Sequence, residues 1–209
     1  MRRSAFLIVM LLASICTEAQ TLKSIQLPPP QTSGGRPLMQ VLKERQTQRE
    51  FRSKKLPMQV LSNLLWAAFG INRPDGRRTA PSAINWQEIE IYVAMADGLF
   101  LYNPTANRLE PVLAKDVRAA TGTQAFVATA PVNLVYVADL NKTGRSGTEA
   151  EFFTAADVGF IAENVYLFCA SEGLATVVRG SVDRPTLAKI MKLAPNQRIL
   201  LGQSVGYPK

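Results

Sequence analysis

The sequence predicts an α+β domain in which a long apolar helix packs on a sheet, and three observations carry this. Ala130 to Ala138 (APVNLVYVA) is almost wholly apolar and rich in β-formers, as a central strand covered on both faces requires. Glu149 to Glu172 is the longest helical stretch and is apolar nearly all round from Ala155 to Ala170, so it belongs in a core or a subunit interface. Between Glu88 and Leu113, short apolar runs alternate with Asp97-Gly98 and Asn103-Pro104 turns, the pattern of a small hairpin.

The elements follow in chain order. Residues 1–19 read as a secretory signal peptide: Arg2-Arg3, an apolar run from Ala5 to Ile15, then Thr17-Glu18-Ala19, with small residues at Thr17 and Ala19 placing cleavage after Ala19. That run is eleven residues, short of the roughly 20 that span a bilayer, so no stable membrane insertion is expected after cleavage. Ile15 stands where a lipidated Cys16 would need a small residue, which disfavours a lipoprotein and points to an exported, periplasmic protein. Residues 20–36, with Pro28-Pro29-Pro30 and Gly34-Gly35, read as an extended lead-in rather than a packed element. The folded domain is expected over 37–209.

Pro37 opens a first helix with Leu38, Val41 and Leu42 on one face, ending in the polar stretch Arg45 to Arg49. Pro57 opens a second, whose stripe is Val60, Leu61, Leu64, Leu65, Ala68 and Phe69, and Gly70 ends it. Residues 73–82 form a loop, and a strand begins near Glu88 with Ile89, Ile91 and Val93 on one face. In the long helix, Thr154 and Asp157 stand at capping-box spacing and Gly173 is placed to cap the end. Ala175 to Val178 then reads as a strand, Asp183 to Met191 as a helix capped by Asp183, and Ile199 to Val205 as a last strand.

Composition excludes much chemistry. The chain has 209 residues, no histidine and a formal charge of +8. His-paired nucleophiles, His-ligated zinc and histidine bases are therefore impossible within it. Cys169 alone remains beyond the leader, so an internal disulfide or CxxC metal site is excluded and no metal is expected. Its place in an apolar helix makes it a small core hydrophobe. The basic residues are scattered without interleaved aromatics, so nucleic acid is not an expected partner.

Three segments carry a more specific message. Arg45-Gln46-Thr47-Gln48-Arg49-Glu50-Phe51 combines guanidinium forks, which bind phosphate oxygens bidentately, with a hydroxyl. Thr79-Ala80-Pro81-Ser82-Ala83-Ile84-Asn85-Trp86-Gln87 precedes a strand. The third runs from Asp157 through Glu172-Gly173-Leu174 to Arg179-Gly180. Together they resemble the nitroreductase-like, FMN-dependent oxidoreductases, over roughly residues 38–208. Leu64 to Arg73, Asp97-Gly98-Leu99 and Ala130-Pro131-Val132 are similar to the branch that includes azoline dehydrogenases.

The resemblance implies a central mixed sheet flanked by helices, the long apolar helix at a homodimer interface, and FMN as cofactor. It implies that Arg45, Gln46, Thr47 and Arg49 hold the phosphate and ribityl chain, and that Pro81, Ser82, Asn85 and Gln87 meet the flavin across the interface. It also implies that backbone N–H groups of Val178, Arg179 and Gly180 face flavin N5 and O4, where donors stabilise the charge that reduction adds. Family members that continue past the Gly-Tyr-Pro segment place a further cation on the phosphate; here that contact is absent or falls to Lys209. The expected activity is hydride or electron transfer through flavin N5 on a small planar or electron-deficient substrate, with no side-chain base. A non-catalytic flavin-binding protein outside the cytoplasm is the alternative.

Overall fold

A computed structural model describes residues 22–209, so the leader expected over 1–19 lies outside the described residues. Strand β1 (Ile25–Gln26) is followed by helices α1 (Leu38–Glu44) and α2 (Met58–Phe69), each entered directly from a proline. Strands β2 (Ile89–Met95), β3 (Gly98–Asn103) and β4 (Arg108–Leu113) form a meander whose three strands fall on the three apolar runs the sequence separates by turns. A short helix α3 (Phe126–Thr129) leads into β5 (Val132–Asp139). Then come helix α4 (Gly147–Glu172), β6 (Ala175–Arg179), α5 (Arg184–Met191) and β7 (Gln197–Gly206). The Asp183 side chain accepts from the Thr186 N–H and caps α5 as expected.

The seven strands form one sheet in the order β1-β4-β3-β2-β5-β7-β6, and every pairing is antiparallel. The expectation of a mixed sheet is thereby corrected. The β5-α4-β6 crossover does send β5 and β6 in the same direction, but β7 inserts between them and pairs antiparallel with both.

Two layers cover the sheet. Helices α2 and α4 bury Leu61, Leu64, Leu65, Ile161 and Val165 against Ile91, Leu134 and Tyr136 on one face. Helix α5 packs Leu187 and Met191 on Tyr92, Val135 and Val137 of the other. Strand β5 is therefore covered on both faces, which is why its sequence is apolar at nearly every position. The central helix has a different reason for its composition. Val158, Ile161, Val165 and Cys169 face the core, whereas Phe152, Phe153 and Phe160 on the opposite side are exposed.

Two further expectations are corrected. Helix α4 starts at Gly147, so Thr154 and Asp157 lie inside it as buried residues and form no capping box. The lead-in is extended but packed: Leu27 is 2% exposed and Ile25 pairs with Leu109. Its proline carbonyls are satisfied by side chains, with Ser62 Oγ and Asn107 Nδ2 donating to Pro28 O (2.6 and 2.8 Å) and Gln59 Nε2 to Pro29 O (2.9 Å). Extended backbone can be buried when donors from neighbouring elements complete its hydrogen bonds.

Candidate functional site

Beyond α1 the chain runs alongside β6, the last strand of the sheet, where the Gln48 N–H donates to Thr176 O at 3.0 Å. This contact carries the 45–49 segment over the C-terminal half of α4. Tyr166 of α4 joins the pieces: its hydroxyl lies 3.0 Å from Thr47 Oγ1 and accepts from the Val178 N–H at 3.0 Å. The Arg45 guanidinium sits 5.3 Å from the centre of the same ring. Sequence reading missed Tyr166, because one tyrosine in an apolar helix looks like core until its hydroxyl is seen to meet two other segments.

Of these, Arg45, Gln48, Tyr166 and Thr176 line a cavity of about 390 Å³, together with Arg36, Lys43, Glu44, Gln46 and Pro208, whereas Thr47, Arg49 and Val178 are not among its lining residues. Pro208 bridges to Phe51, which puts the next residue, Lys209, near the same rim. Arg36 pairs with Glu44. Among the described residues, Lys43, Arg45 and Arg49 have no carboxylate within ion-pair distance. A concave site rimmed by Lys43 and Arg45, neither with a carboxylate partner, and by the Arg36–Glu44 pair, with the Tyr166 hydroxyl and an amide side chain alongside, fits a phosphate and its polyol chain.

The end of β6 is less uniform than the sequence implied. The Val178 N–H is already engaged by Tyr166, and alternation along the strand turns the Arg179 N–H toward β7 and the Gly180 N–H to the open edge. The Arg179 side chain is buried, 5% exposed, and Gly180 is exposed.

The 79–87 loop lies elsewhere. Its backbone is fixed by the Ala83 N–H donating to Asp157 Oδ2 at 2.8 Å and the Gln87 N–H donating to Ser82 Oγ at 3.0 Å. Gln87 also donates to Asn85 Oδ1 (3.0 Å) and accepts from Arg78 Nε (2.9 Å). Pro81 and Asn85 are exposed, while Ile84 has φ 40° with 79% of its surface exposed, an unfavourable backbone for a β-branched residue. Trp86 stacks edge-on to Phe153 at 6.1 Å. The loop thus docks on α4 near Asp157, nine residues and ~13 Å along the axis from Tyr166. Within one chain the two halves of the motif do not meet.

Beneath this loop, Glu88 is 0% exposed with neither carboxylate oxygen hydrogen-bonded to a donor, and Thr154 Oγ1 is likewise buried without a partner. Burial, and then the neighbouring Asp157 carboxylate, push the Glu88 carboxyl up to about 7; burial also raises Asp157. Two carboxyl groups in one dry site share protons rather than both ionising. Sequence reading missed Glu88 because it adjoins a loop that promises exposure. The aromatic residues named as possible stacking partners divide: Tyr102 is core, whereas Phe126, 5.8 Å from Phe51, and Trp86 are both half-buried. Cys169 is wholly buried, which raises its thiol well above the ordinary range and agrees with a core role.

The profile of the Nitroreductase family matches residues 42–207, which include the cavity, the loop and the end of β6. The chain belongs to the nitroreductase family. A provisionally named nitroreductase of Methanocaldococcus jannaschii is 32% identical over 175 residues, covering 78% of this chain and 88% of that one. A crystal structure of a provisionally named nitroreductase from Ralstonia eutropha superposes with a TM-score of 0.86 at 43% identity, covering 90% of each chain. The NADPH:FMN oxidoreductase of Vibrio harveyi, solved with NAD+, shares the fold at TM-score 0.64 and 19% identity, over 82% of this chain and 69% of that one. The nitroreductase-like α+β fold and a flavin-dependent oxidoreductase activity follow from membership.

Proposed function

We propose that this nitroreductase-family member is an exported, homodimeric, FMN-dependent oxidoreductase acting on a small planar or electron-deficient molecule. The observation that carries the FMN reading is the cationic cavity in which Arg45, with no carboxylate partner, lies over Tyr166 beside Thr47. Arg45 and Arg49 would hold the phosphate, and Gln46 and Thr47 the ribityl chain. FMN supplies the hydride and electron chemistry when bound. The chain's part is to orient it and to present the Gly180 N–H, at the end of β6, toward its reactive edge.

A homodimer is supported by the split motif. Asp157, where the 79–87 loop docks, lies ~13 Å along α4 from Tyr166, and a second copy would bring Pro81, Ser82, Asn85 and Gln87 to the cavity of the first. The exposed Phe152, Phe153 and Phe160, together with Ile84, form the apolar face such a copy would cover. Export rests on the leader of residues 1–19. Outside the cytoplasm nicotinamide donors are scarce, so electrons come from another donor, or the reaction runs oxidatively, as on azolines.

FMN-loaded protein is expected to be reduced by dithionite and reoxidised with turnover by a nitroaromatic or a quinone, or to oxidise a peptide azoline, in stopped-flow measurements. Rapid reduction without turnover on any of these would overturn the enzyme reading and favour a flavin-sequestering protein.

A further inference from the structure

We propose that Arg179 is a positioning residue whose buried, uncompensated positive charge raises the reduction potential of a flavin held at the end of β6, an inference that rests on the flavin site proposed above. Its guanidinium is enclosed, with the whole residue 5% exposed. Every acceptor around it is neutral. Nη1 donates to the Thr121 carbonyl, and Nη2 to Thr121 Oγ1 (3.2 Å), Asn133 Oδ1 (2.9 Å) and Ser204 Oγ (3.3 Å), with Nε 3.4 Å from the same Ser204 oxygen. No carboxylate among the described residues lies within ion-pair distance.

The pocket is shaped for this group. A Cβ on Gly122 or Gly202 would stand 2.5 or 2.6 Å from Nη1, so both flanking positions must stay bare. Asn133 is oriented for it as well: its Nδ2 donates to Val127 O at 2.7 Å, leaving Oδ1 to face the guanidinium. Desolvation lowers the guanidinium to about 10, and it stays charged at neutral pH.

A buried cation without a counter-ion is costly, and the strands β5, β6 and β7 are already joined by their own backbone hydrogen bonds. What only a cation adds is a field. In a dry interior that field reaches much farther than it would across water. Arg179 directly precedes Gly180, whose N–H is directed to the open edge, and the uptake of two electrons and one proton leaves a bound flavin with one negative charge. The cation therefore favours the reduced cofactor over the oxidised one.

The test compares FMN-loaded wild type with Arg179→Met, Arg179→Lys and Asn133→Asp, reading midpoint potentials by dye equilibration and folding by circular dichroism. Asn133→Asp sets a carboxylate against the guanidinium without removing it, so the result does not depend on Arg179→Met folding. Arg179→Met and Asn133→Asp are expected to lower the preference for reduced over oxidised FMN about tenfold, ~30 mV for a two-electron couple, with Arg179→Lys close to wild type. Wild-type potentials in both loaded variants would reduce Arg179 to a structural tie and overturn the inference alone. A wild type that holds no FMN would overturn the flavin site, and this inference with it.

Discussion

Glu88→Gln protein is expected to be more stable than wild type at pH 8 by about 2–3 kcal/mol, and to match it below pH 4.5. The Glu88 carboxyl is buried without a donor to either oxygen and sits beside Asp157, so the folded state holds its proton up to about pH 7. The unfolded chain releases that proton near the ordinary glutamate value of 4.5. Between these values the folded protein binds more protons than the unfolded one, and stability falls as pH rises through the window. A glutamine cannot ionise and can donate to Asp157, so the fall flattens. Urea unfolding at pH 4.5, 6 and 8 measures it; parallel wild-type and variant profiles would show that Glu88 ionises freely. The change matters to the site because the Ala83 N–H bonds Asp157, and the 79–87 loop rests on that contact.

Phe160→Asp is expected to convert the proposed dimer into a folded monomer with little or no FMN uptake. Phe160 is 49% exposed in the single chain, on the α4 face it shares with Phe152 and Phe153, so the substitution leaves the core intact. Placing a carboxylate from each copy in an apolar interface costs several kcal/mol. Sedimentation velocity, circular dichroism and FMN fluorescence on the same sample separate assembly, fold and binding. A Phe160→Asp protein that sediments with wild type would place the interface elsewhere.

The parts of the fold legible in the sequence are those whose composition has one physical cause. Strand β5 is apolar because both its faces are covered, and α2 is amphipathic because only one of its faces is. Helix α4 is apolar all round for two causes, a core face and an exposed phenylalanine face, which sequence alone cannot separate. Leu27 was illegible because three consecutive prolines look like linker, and the packing of this segment depends on donors thirty or more residues away. Inserting β7 between β5 and β6 leaves no mark in either strand.

At the site, residue types announced the phosphate-binding segment, whereas its completion by Tyr166 is a tertiary fact. Arg179 entered the reading for its backbone. Its side chain matters through Thr121, Asn133 and Ser204, and no local pattern links those positions.

Equilibrium titration of the purified chain with FMN, followed by quenching of flavin fluorescence, tests the central claim most directly. The cationic cavity over Tyr166 predicts saturation at one FMN per chain and a yellow protein. Arg45→Ala is expected to weaken binding about 10- to 100-fold through loss of a charge-assisted phosphate contact. Flavin fluorescence left unchanged by stoichiometric wild-type protein, or an Arg45→Ala affinity equal to wild type, would contradict it.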